Sequence, residues 1–208
     1  MMGRPTSAHS TKGAAKLRPG MSAVTKPIAL ESPLPARPAL RWPGDKALAV
    51  VPLINLEVYE DPLPAGWFGP EYGESTVTPQ LLGEAGMGYL CDWANDEQPY
   101  RMQTPGDLVA LPLWADFDDQ TVLINRMCNL DMFEDHFNKA LAQLVIDGRT
   151  SSRVLHYCVR PWVSGAPHRI GLFERVLDRA LALPGVWMPT AGEVVAAWRH
   201  SELVASEK

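Results

Sequence analysis

GWFGPEYGESTVTPQLLGEAGMGYLCDWANDEQPY (Gly66–Tyr100) compresses an aromatic, glycine-rich loop, a short helix, a strand and an acidic turn into one stretch. Thr78-Pro79 opens the helix, with Thr as N-cap and Pro at the first helical position, and Gly86 closes it. Met87–Cys91 then reads as a short strand with Asp92 at its C-terminal end. Polar side chains thus gather just past a strand end, where parallel α/β folds place their functional groups.

Upstream, ALAVVPLINLE (Ala47–Glu57) is almost continuously apolar, the pattern of a strand buried on both faces. Pro52 cannot donate to a sheet ladder, so this strand is expected at an edge. Only Val58–Ala65 separates it from Gly66, too little for another helix and strand. Downstream, Leu108–Leu113 is a strand followed by the acidic turn Asp116-Phe117-Asp118-Asp119. Asp131 caps a long helix whose Phe133, Phe137, Leu141, Leu144 and Val145 share a face, and Gly148 ends it. Arg153–Val159 is a clear strand. Phe173, Val176, Leu177, Ala180 and Leu181 form the stripe of another helix, stopped by Pro184-Gly185. Val186–Met188 is a brief strand, and Thr190 with Glu193 makes a capping box for a last helix carrying Val194, Val195 and Trp198. This alternation predicts an α/β fold with a mainly parallel sheet flanked by helices. The strands are too few to close an eight-stranded barrel, so the sheet is expected to be open or incomplete.

The chain has 208 residues, 46% hydrophobic and 21% charged, the profile of one ordinary globular domain. Its net charge of −5 is unevenly spread, because residues 1–40 hold six Lys/Arg and one Glu. An acidic body argues against a nucleic-acid partner. Residues 1–40 also carry six prolines and no hydrophobic period, and read as a disordered basic leader. The domain is expected over 41–200, with 201–208 a tail. No apolar run reaches the roughly 18 residues of a membrane span, and the leader lacks the apolar core of a secretory signal. Cys91, Cys128 and Cys158 are odd in number and widely spaced, giving neither a disulfide framework nor a zinc ribbon. They read as buried thiols of a reducing, cytoplasmic compartment.

The strand ends bring forward Glu57, then Asp92 with Asn95, Asp96 and Glu97, then Asp116 with Asp118, then Arg160 with His168. Carboxylates, an arginine and a histidine on one rim can position an amide and a hydrolytic water, or bind a divalent ion. Plainer readings compete: Asp92 caps a turn, Asp118-Asp119 is a solvated face, and His168 caps a helix. His156, Cys158 and Arg160 share one strand face, which allows a His/Cys site, though two buried, satisfied side chains are the favoured reading. His136 is a surface residue. GxSxG, P-loop, HExxH and GxGxxG motifs are all missing, so serine-hydrolase and nucleotide readings have no local support.

Five segments, RWPGDKALAVVPLINLE, GWFGPEYGES, LLGEAGMGYLCDWANDEQPY, RPWVSGAPHRI and GVWMPTAGEVVAAW, run in this order over most of Arg41–Trp198. Together they resemble the polysaccharide deacetylase superfamily, in its allantoinase-like branch. The resemblance implies an incomplete or distorted (β/α) barrel. It implies hydrolysis of non-peptide C–N bonds in a small amide, ureide or N-acetyl sugar. On the matching positions it implies catalytic roles for Glu57, Asp96 and His168. It implies substrate contacts for Trp67, Glu71, Tyr72, Asp92, Trp93, Asn95, Arg160 and Trp162. Family members often use a divalent metal such as zinc; no metal ligand or cofactor is assigned in this chain.

Two departures shape the expectation. The family carries several βα units, with a metal-binding histidine motif, where this chain has only Val58–Ala65. The family turn also begins with histidine where Arg160 stands, and a guanidinium stays protonated and serves neither as base nor as metal ligand. The expected protein is a hydrolase impaired by an internal deletion near 58–66, self-associating through the edges thereby exposed. The alternative is a non-catalytic interaction or oligomerising subunit. Arg160 is expected to form an ion pair with Asp92 or Asp96.

Overall fold

The computed structural model describes residues 37–54 and 66–206. Its central strand is β1 (Leu48–Ile54), paired in parallel along its whole length with β6 (Arg153–Val159). Leu48, Ala49, Val50 and Val51 are all fully buried, as a strand covered on both faces demands. The expectation of an edge position is corrected, because β7 (Val186–Trp187) flanks β1 on its other side. Pro52 is tolerated for a local reason. The Leu48 N–H points to the β7 side, donating to Gly185, and alternation puts the Pro52 nitrogen on that same side. Pairing with β7 is confined to Leu48 and Ala49, so no ladder bond is missed at Pro52.

A second sheet has the order β2 (Gly66–Trp67), β3 (Tyr89–Leu90), β5 (Val109–Ala110), β4 (Tyr100–Arg101). The first three are parallel and β4 is antiparallel to β5. Beside β6, the Val154 N–H donates to Glu97 and Asp118 forms a parallel bridge with Cys158, so the segments around the second sheet run against the first. The sheets are mainly parallel and helix-flanked, and among the described residues they form no closed barrel.

The helices follow their apolar stripes. On α2 (Leu130–Asp147), Phe133, Phe137, Leu141 and Leu144 are buried. Its cap is Asn129, whose side chain accepts the Met132 N–H, and not Asp131, which lies in the first turn. On α3 (Ile170–Ala182), Leu172, Val176 and Ala180 are buried, whereas Leu181 is 65% exposed and leaves the expected stripe. α1 (Thr78–Glu84) takes Thr78 as a helical residue, its hydroxyl oxygen accepting the Ser75 N–H. α4 (Ala191–Ser206) begins with the reciprocal capping box of Thr190 and Glu193. It runs through positions expected to be tail.

One core layer lies between the β1–β6 sheet and helices α2 and α3, and another between β1, β6, the Val109–Leu113 segment and α4. Packing reaches four residues upstream of Arg41: Leu40 is buried, and Arg37 pairs with Asp96 at 2.9 Å. The remainder of the expected leader, 1–36, lies outside the described residues.

Candidate functional site

Asp92 follows β3 and is 7% exposed. Its Oδ1 accepts the Gly69 N–H at 2.6 Å, while Oδ2 is buried without a partner in hydrogen-bond geometry, and the Trp67 indole acts on the carboxyl from nearby. A Cβ on Gly69 would sit 2.7 Å from that Oδ2 and 2.6 Å from the Gly73 carbonyl oxygen, so only glycine lets the loop approach this closely. Glu74 comes from the same loop. Its Oε1 accepts the Trp93 indole N–H, and its Oε2 is also unpartnered. Burial, reinforced by the neighbouring Glu74 charge, raises Asp92 to about 6 despite the Gly69 hydrogen bond. Burial raises Glu74 as well. Trp67 and Trp93, both half-buried, pack on a further, smaller apolar cluster that includes Leu90, Leu108 and Ala110. The rim is therefore two under-satisfied carboxyls beside indole rings, and Asp92 can exchange a proton near neutral pH.

The loop that delivers these groups is strained. Glu71 and Tyr72 both lie in the left-handed region, at φ 52° and 60°, an uncommon state for residues with a Cβ and one that recurs at functional sites. Glu71 is exposed. Tyr72 turns its ring edge-on to Phe68, centroids 5.1 Å apart. Burial and the Asp118 charge raise its hydroxyl well above the ordinary tyrosine range.

A second acidic centre was legible only in part. Asp118 and Asp119 are fully buried, not a solvated face. The Arg160 guanidinium sits 2.7 Å from Asp118 and 3.3 Å from Asp119. The expected pairing of Arg160 with Asp92 or Asp96 is thus corrected. Asp118 also accepts the Thr121 N–H. Asp119 accepts the Arg160 N–H and both the N–H and hydroxyl of Ser164. Burial pushes Asp118 up, but the Thr121 N–H and the Arg160 cation outweigh it and hold the carboxyl below its ordinary value. Asp119 is raised by burial. The divalent metal of the resembled family does not fit this donor set. A guanidinium already fills the cation's place between the carboxylates, and among the described residues no three His, Cys, Asp or Glu side chains converge.

The other expected site residues scatter. Asp96 closes its own turn, accepting the Glu97 and Gln98 N–H groups, and is paired with Arg37. Asn95 is exposed and accepts the Tyr100 hydroxyl at 3.0 Å. Trp162 is 54% exposed. His168 is exposed in the turn before α3 and makes no hydrogen bond or ion pair among the described residues. Glu57 lies outside the described residues. Trp67 packs on the same core cluster as Trp93 and acts on the Asp92 carboxyl, and Tyr72 lies near enough to Asp118 and Arg160 to feel both charges. From sequence Glu74 stood out only as the end of the Glu71–Glu74 loop and Asp119 only as part of an acidic turn, and Ser164 was not singled out. An acid within the loop that carries Trp67 and Glu71 was the available signal for Glu74.

A probable polysaccharide deacetylase from Pseudomonas aeruginosa PAO1 superposes with a TM-score of 0.60 at 22% identity, over 66% of this chain and 47% of that one. The Puue allantoinase superposes with a TM-score of 0.59 at 22% identity, over 66% of this chain and 47% of that one. The fold is that of the polysaccharide deacetylases. The chain spans about half the length of these matched structures. No protein-family model matches the sequence. No curated protein is detectably similar to it.

Proposed function

We propose that the chain is a shortened polysaccharide deacetylase-type protein that binds a small amide, ureide or N-acetyl sugar at the Asp92 rim. Its hydrolysis of the non-peptide C–N bond is impaired or lost. The observation that carries this reading is the buried Asp92 carboxyl, raised to about 6, with one oxygen unpartnered. Such a group can accept a hydrogen bond from a substrate N–H, or take a proton from an attacking water. Trp93 and Trp67 supply flat apolar walls for a small planar amide or sugar ring. Impairment has its own support. Arg160 is committed to two buried carboxylates, Asp96 is committed to its turn and Arg37, and His168 stands apart without a partner. No described cation remains beside Asp92 to stabilise a developing oxyanion.

The test is a panel of amides, ureides and N-acetyl sugars, with carbon–nitrogen cleavage followed by ammonia and acetate release, and binding followed by amide NMR. The expected outcome is weak saturable binding that shifts Gly69 and Trp93 and is lost in Asp92→Asn, with turnover near background. Rapid turnover that survives Asp92→Asn would place the chemistry elsewhere.

A second reading, an oligomerising subunit, draws on β1. Beyond Ala49 its β7 side has no described strand partner, and Ile54 is 57% exposed. A second copy covering this edge is the simplest occupant. Light scattering is expected to show self-association at micromolar concentration, and a stable monomer there contradicts this reading. A cytoplasmic location is supported by the three free cysteines. No described helix is long and apolar enough to cross a membrane.

A further inference from the structure

We infer that the groove between residues 37–41, residues 98–101 and the last turns of α4 is the docking site of this chain's own stretch 28–36, IALESPLPA. The groove has a volume of about 990 Å³ and shares no described lining residue with the Asp92 rim. Pro38, Leu40, Pro99, Leu203 and Val204 give it apolar surface, and Leu203 and Val204 are 64% and 42% exposed. Apolar surface gathered in one groove, unlike a single exposed side chain, marks a docking site.

The course of the chain selects the occupant. The described chain starts in the groove wall and is held there. The Arg37 guanidinium pairs with Asp96 at 2.9 Å and lies 5.6 Å from the Tyr100 ring centroid. Leu40 is buried, and its N–H donates to the Ser151 hydroxyl. Residue 36 is therefore bonded to a fixed point of the wall, and the residues before it reach the groove as an intramolecular ligand. A short tether of this kind gives an effective concentration in the millimolar range, so modest affinity suffices. Nine extended residues span about 30 Å, more than the roughly 12 Å of helix over residues 198–205.

The stretch also has matching chemistry. In extended backbone Ile28, Leu30 and Leu34 fall on one face, and Pro33 and Pro35 favour such backbone. Glu31 is the only acid among residues 1–36, whereas residues 1–27 carry five Lys/Arg. Three arginines and His200 line the groove against one acid, Glu202. Arg37 and Arg101 have close acidic partners, but Arg41 meets Asp45 only at 3.8 Å. Such a wall accepts the stretch that holds Glu31 and repels the basic residues before it.

Methyl NMR of the full chain, with leucine, isoleucine and valine methyls labelled, tests this. Contacts are expected from Leu30 or Leu34 to Leu203 or Val204. They should persist on dilution and be missing between differently labelled chains in a mixed sample. Leu34→Asp should remove them and raise proteolytic cleavage within 28–36 about tenfold. Val204→Asp, on the exposed end of α4, should do the same from the other wall, and unchanged Val50 and Leu155 methyls report that the domain stays folded. Random-coil shifts for Leu30 and Leu34 without contacts to α4, contacts seen only between differently labelled chains, or cleavage unaffected by Leu34→Asp would each overturn the inference.

Discussion

Among the described residues two carboxylate pairs, one fully buried and one only partly, are opposites. At Asp118 and Asp119, donors saturate the oxygens: a guanidinium spans both carboxylates, two backbone N–H groups and a hydroxyl cover Asp119, and a third N–H caps Asp118. At Asp92 and Glu74 each carboxyl accepts one hydrogen bond in good geometry and keeps a second, buried oxygen without one, with the Trp67 indole near Asp92. The contrast teaches that the supply of donors, more than the number of acids, separates a structural centre from a chemically available one. A saturated pair spends its charge on holding the chain together, and an unsaturated pair keeps it for a ligand.

The largest expected effect breaks the closed centre. Arg160→Leu leaves two buried carboxylates without their cation and should cost about 3–5 kcal/mol in denaturant unfolding. Arg160→His should also destabilise, because imidazole cannot span both carboxylates as the guanidinium does. Adding Asp118→Asn and Asp119→Asn to Arg160→Leu should recover more than half of the loss. A loss under about 1 kcal/mol, the range of surface pairs, would remove the contrast between the two centres.

The open centre should respond in the other direction. Asp92 is raised from 3.8 to about 6 on folding, so between those values the folded chain keeps a proton that the unfolded chain has released. The stability this group contributes is complete below its unfolded value and is lost as pH rises through about 6. Asp92→Asn keeps an acceptor for the Gly69 N–H and removes the charge. It should stabilise the protein by about 1–3 kcal/mol above pH 7 and by almost nothing near pH 4. Thermal unfolding at the two pH values checks both sign and window. Destabilisation at pH 7 would mean that the carboxylate is compensated after all.

The smallest effect sharpens the same comparison. Glu71 is exposed and left-handed at φ 52°, so Glu71→Gly should relax the rim loop and add about 0.5–1 kcal/mol. An unchanged melting temperature would show that the loop stores no strain.

Much of the scaffold was legible because its signals are local. The two-faced burial of β1, the Phe133–Leu144 stripe of α2 and the Thr190–Glu193 capping box each depend on residues a few positions apart. The family resemblance of the five segments agrees with the fold found by superposition. What stayed hidden depends on distant partners. Asp118-Asp119 looks like any solvated acidic turn until Arg160, 41 residues away, is brought to it. Glu74 gains meaning only when Trp93 reaches back 19 residues to it. Pro52 pointed to an edge because its sequence does not reveal that β7 ends two residues into the pairing. The cap moved from Asp131 to Asn129 because both types cap well, and Leu130 already takes helical geometry.

The central claim, that the Asp92 rim is available and the Arg160 centre is closed, is tested most directly by carboxyl ¹³C NMR titration with and without a small ureide. Asp92 is predicted to titrate near 6 and to shift when the ureide is added. Asp118 is predicted to titrate below its ordinary value and to ignore the ligand. Ordinary titration of Asp92 near 4, with ligand-induced shifts at Asp118 and Asp119 instead, would contradict the account.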